Sequence, residues 1–261
     1  MKIRVFDSPR LAGLYASSQL EEAILTLEHP VLGLATGSTV MPCYEALRGL
    51  VWCGLDLSKT ITINLDEYIG LPSLHPQSYH YFMENTLFNG LPSRPKEIHI
   101  PNGMAKNLDI ECQRYDDIIH SHPIDVQLLG IGINGHIGFN EPSHALLSRT
   151  HVVDLTQETI SANARFFDRV EDVPHRALTM GVQSILQARK IILIAFGQGK
   201  ADAVAKAVHA KVSTDLPASI LQFHHDVTFI LDIESASSLP EELWCRRSIP
   251  SDPIQLQQGN F

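Results

Sequence analysis

The sequence has no excess of basic residues. Its 20 Lys and Arg are outnumbered by 29 Asp and Glu, so the formal net charge is −9 at pH 7. Nonspecific binding to nucleic acid or to anionic lipid needs a basic surface. We therefore expect no nucleic-acid partner and no membrane partner, and any anionic ligand must be held by a few local groups.

Cysteine is scarce and is not arranged in pairs. The four cysteines (Cys43, Cys53, Cys112 and Cys245) form no CxxC motif and no short paired spacing, which excludes a zinc-ribbon pattern and a disulfide framework. The histidines do not form an HExxH motif, and there is no GxSxG motif of the kind that serine hydrolases carry. We expect reduced thiols, no metal site and no nucleophilic serine.

Long apolar runs and flexible linkers are also missing. No window reaches about 18 uncharged apolar residues, and the first residues lack the apolar stretch of an export signal. A cytoplasmic protein is expected. No repeat or Pro/Gly/Ser-rich linker divides the 261 residues, so we predict one domain over residues 1–247 and a polar, proline-bearing C-terminal tail over residues 248–261.

Short apolar runs alternate with longer amphipathic stretches, which is typical of an α/β protein with a mainly parallel sheet. The predicted strands are Val31–Ala35, Thr60–Leu65, Val126–Ile131, Ile191–Phe196 and Val227–Leu231. The predicted helices are Met41–Val51, Gln77–Leu87, Leu108–His120, Arg176–Gln187 and Ala201–His209. Ligands of such sheets bind at the carboxyl ends of the strands, so the residues that follow each strand are the candidates for a site.

A phosphate-binding turn is predicted after the strand at Val31–Ala35. The residues Thr36, Gly37, Ser38 and Thr39 stand directly before a helix. Glycine permits a tight turn, and hydroxyl and backbone N–H groups at a helix start bind anions. An ordinary helix cap would use the same residue types, and the spacing differs from that of a P-loop.

Two consecutive carboxylates follow the strand at Thr60–Leu65. Neighbouring side chains of a strand point to opposite faces, so either Asp66 or Glu67 can enter a cleft while the other faces away. A partly desolvated carboxylate there would have a raised pKa and could act as a base towards a carbon acid. A surface Asp-Glu pair at the start of a loop is the alternative.

A glycine-rich segment, Gly130–Pro142, follows the strand at Val126–Ile131. It contains GxGxxG, the fingerprint of a dinucleotide site, but a helix starting there would meet Pro142 within two turns. A dinucleotide site is therefore not expected here. The segment instead presents Asn134, His136 and Glu141 in one compact turn, which suits proton shuttling because imidazole titrates near neutral pH. A structural histidine is the alternative.

Two cations complete the candidates for a phosphate site. Arg165 lies in a predicted loop, and Lys200 follows Gly199 before the helix at Ala201–His209. A guanidinium can bind phosphate through two parallel hydrogen bonds, and an ammonium supplies a point charge. Either side chain could equally be a solvated surface cation.

Taken together, these segments resemble the glucosamine-6-phosphate deaminase (isomerase) family. The matching segments occur in the same order over roughly residues 1–235, which is far more specific than any one motif. They are residues 34–39 (LATGST), 64–71 (NLDEYIGL), 75–79 (HPQSY), 130–142, 164–168 (ARFFD) and 217–221 (PASIL).

The resemblance implies a three-layer αβα sandwich with a mainly parallel, modified Rossmann-like sheet. It also implies conversion of glucosamine 6-phosphate and water to fructose 6-phosphate and ammonia without a cofactor. Asp66 would take the proton from C2 and deliver it to C1, and His136 would assist ring opening with support from Asn134 and Glu141. The phosphate would be held by Thr36, Gly37, Ser38, Thr39, Arg165 and Lys200.

The sequence departs from the family pattern in two places. Some members carry Asp where this chain has Asn134, and an amide cannot stabilise an imidazolium by charge, so ring opening is the step affected. Other members carry Arg and Lys at the positions of His151 and Val153, in an effector site between subunits. Without those cations, activation by an N-acetylated sugar phosphate is not expected.

Three alternatives stay open at this point. A 6-phosphogluconolactonase shares the fold but would not need a base at Asp66, and a galactosamine-6-phosphate isomerase differs only in the C4 epimer. A sugar-phosphate-sensing domain would bind without reacting, but it normally carries a DNA-binding segment. Nothing before Val31 is basic or long enough to supply one. The sequence also leaves a homo-oligomer open.

Overall fold

Eight parallel strands form the main sheet of the computed structural model, which describes residues 1–246 except 165, 166 and 168. In chain order the strands are β1 (Lys2–Phe6), β2 (Val31–Leu34), β3 (Ile61–Asn64), β5 (Glu97–His99), β6 (Val126–Leu129), β9 (Lys190–Ala195), β10 (Val227–Asp232) and β11 (Cys245–Arg246). Every neighbouring pair is parallel, and the order across the sheet is β11-β1-β10-β9-β6-β2-β3-β5.

A second, antiparallel sheet of three strands lies beyond the end of β3. Its strands are β4 (Asp66–Tyr68), β7 (His151–Asp154) and β8 (Arg176–Thr179), in the order β4-β8-β7. Both outer strands pair with β8, and Thr179 is opposite Asp66 on one side and His151 on the other. The chain therefore passes from the main sheet into the small sheet within two residues, at Leu65.

Within the described residues, eight α-helices lie between the strands. They are α1 (Pro9–Thr26), α2 (Met41–Trp52), α3 (Tyr79–Met83), α4 (Leu108–Ser121), α5 (Gln157–Asn163), α6 (Val182–Leu186), α7 (Ala201–His209) and α8 (Ile233–Ala236). The side chain of Ser8 accepts the backbone N–H of Leu11 at the start of α1, and Asn107 caps α4 in the same way. None of the described helices has the length and apolar character needed to cross a bilayer.

The central strands are buried along their whole length. All residues of β2, β6 and β10 are buried, so both faces of the sheet are covered by helices. Because alternate residues point to opposite faces, this burial explains why the strands appear as continuous apolar runs in the sequence. The predicted three-layer αβα sandwich with a mainly parallel sheet is confirmed.

The predicted elements agree with the structure except at one helix. The five predicted strands and four of the predicted helices are found, although α3 starts at Tyr79 and its chain continues as a π-turn over Glu84–Phe88. The helix predicted over Arg176–Gln187 is wrong in its first half, which is strand β8. The pairing of β8 with β4 and β7 overrides the local helical pattern, and only Val182–Leu186 is helical.

Two further elements at the N-terminus were not predicted. They are β1 and α1, and the buried face of α1 consists largely of Ala, Gly and Ser, which gives little hydrophobic contrast. The tail predicted over residues 248–261 lies outside the described residues.

Candidate active site

A cavity of about 240 Å³ opens at the carboxyl edge of the main sheet. After β2 the chain continues to β3 on one side, whereas after β6 the next strand of the sheet is β9 on the other side. Ligands of open α/β sheets bind where the strand order reverses in this way. The polar residues around the cavity include Thr36, Ser38, Thr39, Asp66, Tyr79, Asn134, His136, Thr159 and Lys200, and Gly37 lies among them.

The first wall of the cavity is the turn after β2. Gly37 has a φ of +106°, a conformation that L side chains rarely adopt. The chain then forms a single 3-10 turn over Ser38–Val40 that leads directly into α2. The first N–H groups of a helix have no partner within it, so this turn offers donors to an anion in the cavity.

A turn of the same build follows β9. Gly197 has a φ of +86°, a 3-10 turn covers Gln198–Lys200, and α7 follows. The side chain of Asp232 accepts the backbone N–H of Gly197 and fixes the turn. Lys200 stands at the start of α7 and contributes to the lining of the cavity. The two turns thus bring hydroxyls, a helix start and an ammonium to one cavity, which is the chemistry of a phosphate site.

Asp66 brings a carboxyl group to the same cavity. It is the first residue of β4, it is only 5% exposed, and it faces the turn at Gly37 from the side of the small sheet. Burial, together with the charge of Glu67, raises the pKa of Asp66 to about 8. Such a group can take and return a proton near neutral pH.

His136 is held by a carboxylate behind it. Its Nδ1 lies 3.2 Å from Glu141 Oε2, which also accepts the side-chain amide of Asn134 at 2.8 Å. The hydroxyl of Thr159 donates to the other oxygen of Glu141. Although burial by itself raises the pKa of Glu141, the hydrogen bond and charge of His136, together with the bonds from Thr159 and Asn134, hold that pKa below its ordinary value.

This arrangement fixes the tautomer of the imidazole. A carboxylate can only accept, so Nδ1 of His136 is the donor and Nε2 is left as the nitrogen that can exchange a proton in the cavity. Glu141 does not itself line the cavity. It orients His136 and places a negative charge beside it.

The glycine-rich segment makes room for the imidazole. A Cβ atom on Gly132 would lie 2.5 Å from Cε1 of His136, so any larger residue would displace the ring. Residues 130–150 contain no helix, and the GxGxxG motif therefore does not open the helix that a dinucleotide fingerprint requires.

Of the candidates from the sequence, nine are described and lie at this site, with Glu141 directly behind His136. Arg165 lies outside the described residues. Two polar residues of the site were not predicted, namely Tyr79 and Thr159. Both lie in the first turn of a helix that has a polar N-cap, which is Ser78 for α3 and Thr156 for α5. These two N-cap signals mark where the helices start, but they do not fix which way the helix starts face.

Comparison with known proteins now places the chain in a family. The family model for glucosamine-6-phosphate isomerases/6-phosphogluconolactonase matches residues 10–230. The chain belongs to this family. Members of the glucosamine-6-phosphate isomerase/6-phosphogluconolactonase family with similar sequences include a glucosamine-6-phosphate deaminase of Thermoanaerobacter sp. (strain X514). It is 49% identical over 229 residues, which is 87% of this chain and 90% of the relative.

Three further known proteins are similar to this chain. A glucosamine-6-phosphate deaminase of Clostridium botulinum (strain Loch Maree / Type A3) is 46% identical over 92% of this chain and 99% of its own length. Among solved structures, a monomeric glucosamine-6-phosphate deaminase is 44% identical, has a TM-score of 0.88 and is matched over 91% of this chain and 100% of its own. The 6-phosphogluconolactonase of Trypanosoma brucei shares the fold with a TM-score of 0.73 over 92% of this chain and 98% of its own, but at 19% identity.

Proposed function

We propose that this chain is a glucosamine-6-phosphate deaminase that converts glucosamine 6-phosphate and water to fructose 6-phosphate and ammonia. Relatives that are 46–49% identical over about nine-tenths of the chain carry that name. The observation that carries the proposal is the position of Asp66. Its buried carboxyl group faces the same cavity as a phosphate-binding turn and a carboxylate-backed imidazole.

The phosphate anchors the substrate at a distance from the reacting carbons. We assign this role to the turn Thr36–Thr39 and to Lys200, with Arg165 as a further candidate from the sequence. Binding energy from a remote anion can be used to hold C1 and C2 in place against the catalytic groups. The helix start behind Gly37 adds a favourable field for the dianion.

Ring opening comes first. The substrate is a cyclic hemiacetal, and its opening moves a proton from the hydroxyl on C1 to the ring oxygen. His136 is suited to this step through Nε2, since Glu141 fixes the donor state of Nδ1. The negative charge that stabilises an imidazolium comes from Glu141, so the replacement of Asp by Asn134 leaves this support in place.

Isomerisation follows in the open chain. Asp66 as a carboxylate removes the proton on C2, which is acidic because it lies next to the C1 carbonyl, and returns it to C1. A proton also passes from the C2 ammonium group to the C1 oxygen, so C1 becomes a hydroxymethyl carbon and C2 becomes an iminium. Water then adds to C2 and ammonia leaves, which gives the C2 ketone. The ammonium group of the incoming substrate favours the ionised form of Asp66, because an opposite charge nearby lowers the pKa of a carboxyl group.

This chain has His151 and Val153 at the positions where other family members carry the Arg and Lys of an effector site. His151 and Val153 lie in β7 and line a separate cavity of about 260 Å³. Among the described residues around that cavity there is no Lys or Arg. This supports the proposal that the enzyme works without activation by an effector phosphate there.

The experiment is a direct assay of the purified, untagged protein. With glucosamine 6-phosphate, we expect ammonia and fructose 6-phosphate in a 1:1 ratio, and no hydrolysis of 6-phosphogluconolactone above the uncatalysed rate. A parallel assay with galactosamine 6-phosphate shows which C4 epimer is the substrate. Absence of ammonia with either amino sugar, or rapid lactone hydrolysis, would contradict the proposal.

A further inference from the structure

Two histidines and a glutamate meet at the far edge of the main sheet. Glu97 and His99 belong to β5, the edge strand, and His122 is the C-terminal cap of α4. One ligand atom from each of the three side chains lies within 4.8 Å of the others. None of the three lines the candidate active site.

The strand geometry places the first two ligands together. Residues two apart on a strand point to the same side, so Glu97 and His99 project towards the same neighbour. Nε2 of His99 lies 3.1 Å from Glu97 Oε2, and Nε2 of His122 lies 3.9 Å from the same oxygen. The two imidazole rings are stacked, with centroids 5.8 Å apart and planes inclined by 19°.

These separations are close to those around a bound metal ion. Ligand atoms at about 2.1 Å from Zn²⁺ in tetrahedral geometry are about 3.4 Å apart. The observed distances of 3.1 and 3.9 Å straddle that value, so small side-chain movements suffice. The side chains of His99, His122 and Glu97 are 21%, 30% and 36% exposed, so an ion from solvent can reach them.

We propose that Glu97, His99 and His122 form a binding site for a divalent transition-metal ion, with Zn²⁺ as the representative, and with water as the fourth ligand. Two imidazoles and one carboxylate are a donor set that suits Zn²⁺ and its neighbours, whereas Mg²⁺ prefers six oxygen ligands. Lys96 lies 3.6 Å from Oε1 of Glu97 and leaves Oε2 to the histidines. A bound ion would tie the edge strand to the end of α4.

The three ligands do not form a recognisable metal-binding motif in the sequence. Glu97 and His99 are close in sequence, but His122 comes from the end of the following helix. Tyr115 on α4 fixes the two elements relative to each other, since its hydroxyl contacts the carbonyl oxygens of His99 and Asn64 at 3.1 and 2.6 Å. The cluster is thus built by the packing of α4 on the sheet edge.

The test is calorimetric titration of the full, untagged chain with Zn²⁺, in parallel with His122→Ala, Glu97→Gln and the control His120→Ala. His120 is exposed in the last turn of α4 and lies outside the cluster. We expect one equivalent of Zn²⁺ to bind to the wild type and to His120→Ala, and each of the other two variants to bind it at least about tenfold more weakly. Zn²⁺ should also raise the Tm of the wild type, whereas Mg²⁺ should not.

X-ray absorption of the wild type with one equivalent of Zn²⁺ gives a readout that needs no variant. We expect nitrogen and oxygen ligands with the signature of two imidazoles. A sulfur ligand would show that a cysteine thiol, such as that of the exposed Cys53, binds the ion instead and would overturn the proposal. Equal affinity in all four proteins, no binding to the wild type, or an equal response to Mg²⁺ would overturn the proposal.

Discussion

Asp66 and Glu67 are consecutive residues of β4, yet their carboxyl groups serve two different cavities. Asp66 faces the candidate active site, and Glu67 lines a separate cavity. The carboxylate of Glu67 accepts the backbone N–H groups of Tyr68, Tyr79 and His80 at 2.8–2.9 Å. One strand therefore supplies both the base and the anchor for the start of α3, where Tyr79 reaches the cavity.

Glu67→Gln tests the anchor. An amide has one acceptor oxygen, so its NH₂ group would face backbone N–H groups that Glu67 now satisfies. Burial raises the pKa of Glu67 to about 7, so the group is mostly ionised at pH 8. Because hydrogen bonds to charged groups contribute about 1.5–3 kcal/mol, we expect the free energy of unfolding in urea at pH 8 to fall by about that much. The KM for glucosamine 6-phosphate should also rise, because Tyr79 loses its support.

Glu84→Gln is the matched control for this variant. Glu84 pairs with Arg94 on the surface, and exposed ion pairs contribute about 0–1 kcal/mol. If both variants lose the same stability, or if the KM of Glu67→Gln is unchanged, Glu67 does not anchor α3.

Asp66→Asn should stabilise the protein at alkaline pH. The pKa of Asp66 is about 8 in the folded state and near 3.8 when unfolded, so between these values the folded state binds more protons. Stability from this group is fully present below pH 3.8 and is lost as pH rises to about 8. An amide does not titrate, so the Tm of the variant should exceed that of the wild type by at least about 3 °C at pH 8 and much less at pH 4.

The exposed Asp117 on α4 provides the comparison. Thermal unfolding of Asp117→Asn should differ from that of the wild type by a similar small amount at both pH values. A constant difference for Asp66→Asn across the same range would contradict the raised pKa.

Asn134→Asp tests whether the charge of Glu141 beside His136 controls ring opening. Nδ2 of Asn134 lies 2.8 Å from Glu141 Oε2, so an aspartate would put two carboxyl groups in contact. Like charges at that distance cannot both ionise easily, so the higher pKa of the pair should rise above that of Glu141 alone. We expect the acidic limb of the kcat profile to move to higher pH, whereas Asn134→Ala, which adds no charge, should move it less. If the kcat–pH profiles of Asn134→Asp and the wild type are superimposable, Glu141 does not control ring opening by His136.

Lys200→Ala tests the phosphate anchor. Uniform binding of an anion affects KM more than kcat. We therefore expect the KM for glucosamine 6-phosphate to rise at least about tenfold with kcat within about threefold of the wild type. Lys206→Ala is the control, because Lys206 lies on the same helix but pairs with Asp202 at the surface. Unchanged saturation behaviour of Lys200→Ala would remove Lys200 from the site.

The main sheet was predictable because its strands are buried on both faces. Runs such as those of β9 and β10 are apolar at nearly every position, and this pattern is local in the sequence. The small sheet was not predictable in the same way. Its pairing of Asp66 with Thr179 joins segments far apart in the sequence, and the helix predicted over Arg176–Gln187 included all of β8.

The candidate active site likewise contains residues that the sequence predicts and residues that it does not. Asp66 and the turn at Gly37 closely follow sheet strands, and His136 lies in the loop after β6, so the rule that ligands bind at strand ends finds them. Tyr79 and Thr159 belong to helices that the tertiary fold brings to the cavity, and no local signal fixes where those helices point. The cluster of Glu97, His99 and His122 depends on helix packing in the same manner.

The central claim is that Asp66 removes the proton on C2 of the substrate. The most direct measurement is the rate of C2–D bond cleavage with C2-deuterated glucosamine 6-phosphate, compared between the wild type and Asp66→Asn. Binding of the reduced open-chain analogue, which has no carbonyl at C1, serves as the control for an intact site. We predict that cleavage falls at least about a hundredfold, in line with general-base contributions of about 10²–10⁴, while the Kd of the analogue stays within about threefold. Cleavage by Asp66→Asn at a rate near that of the wild type would contradict the account.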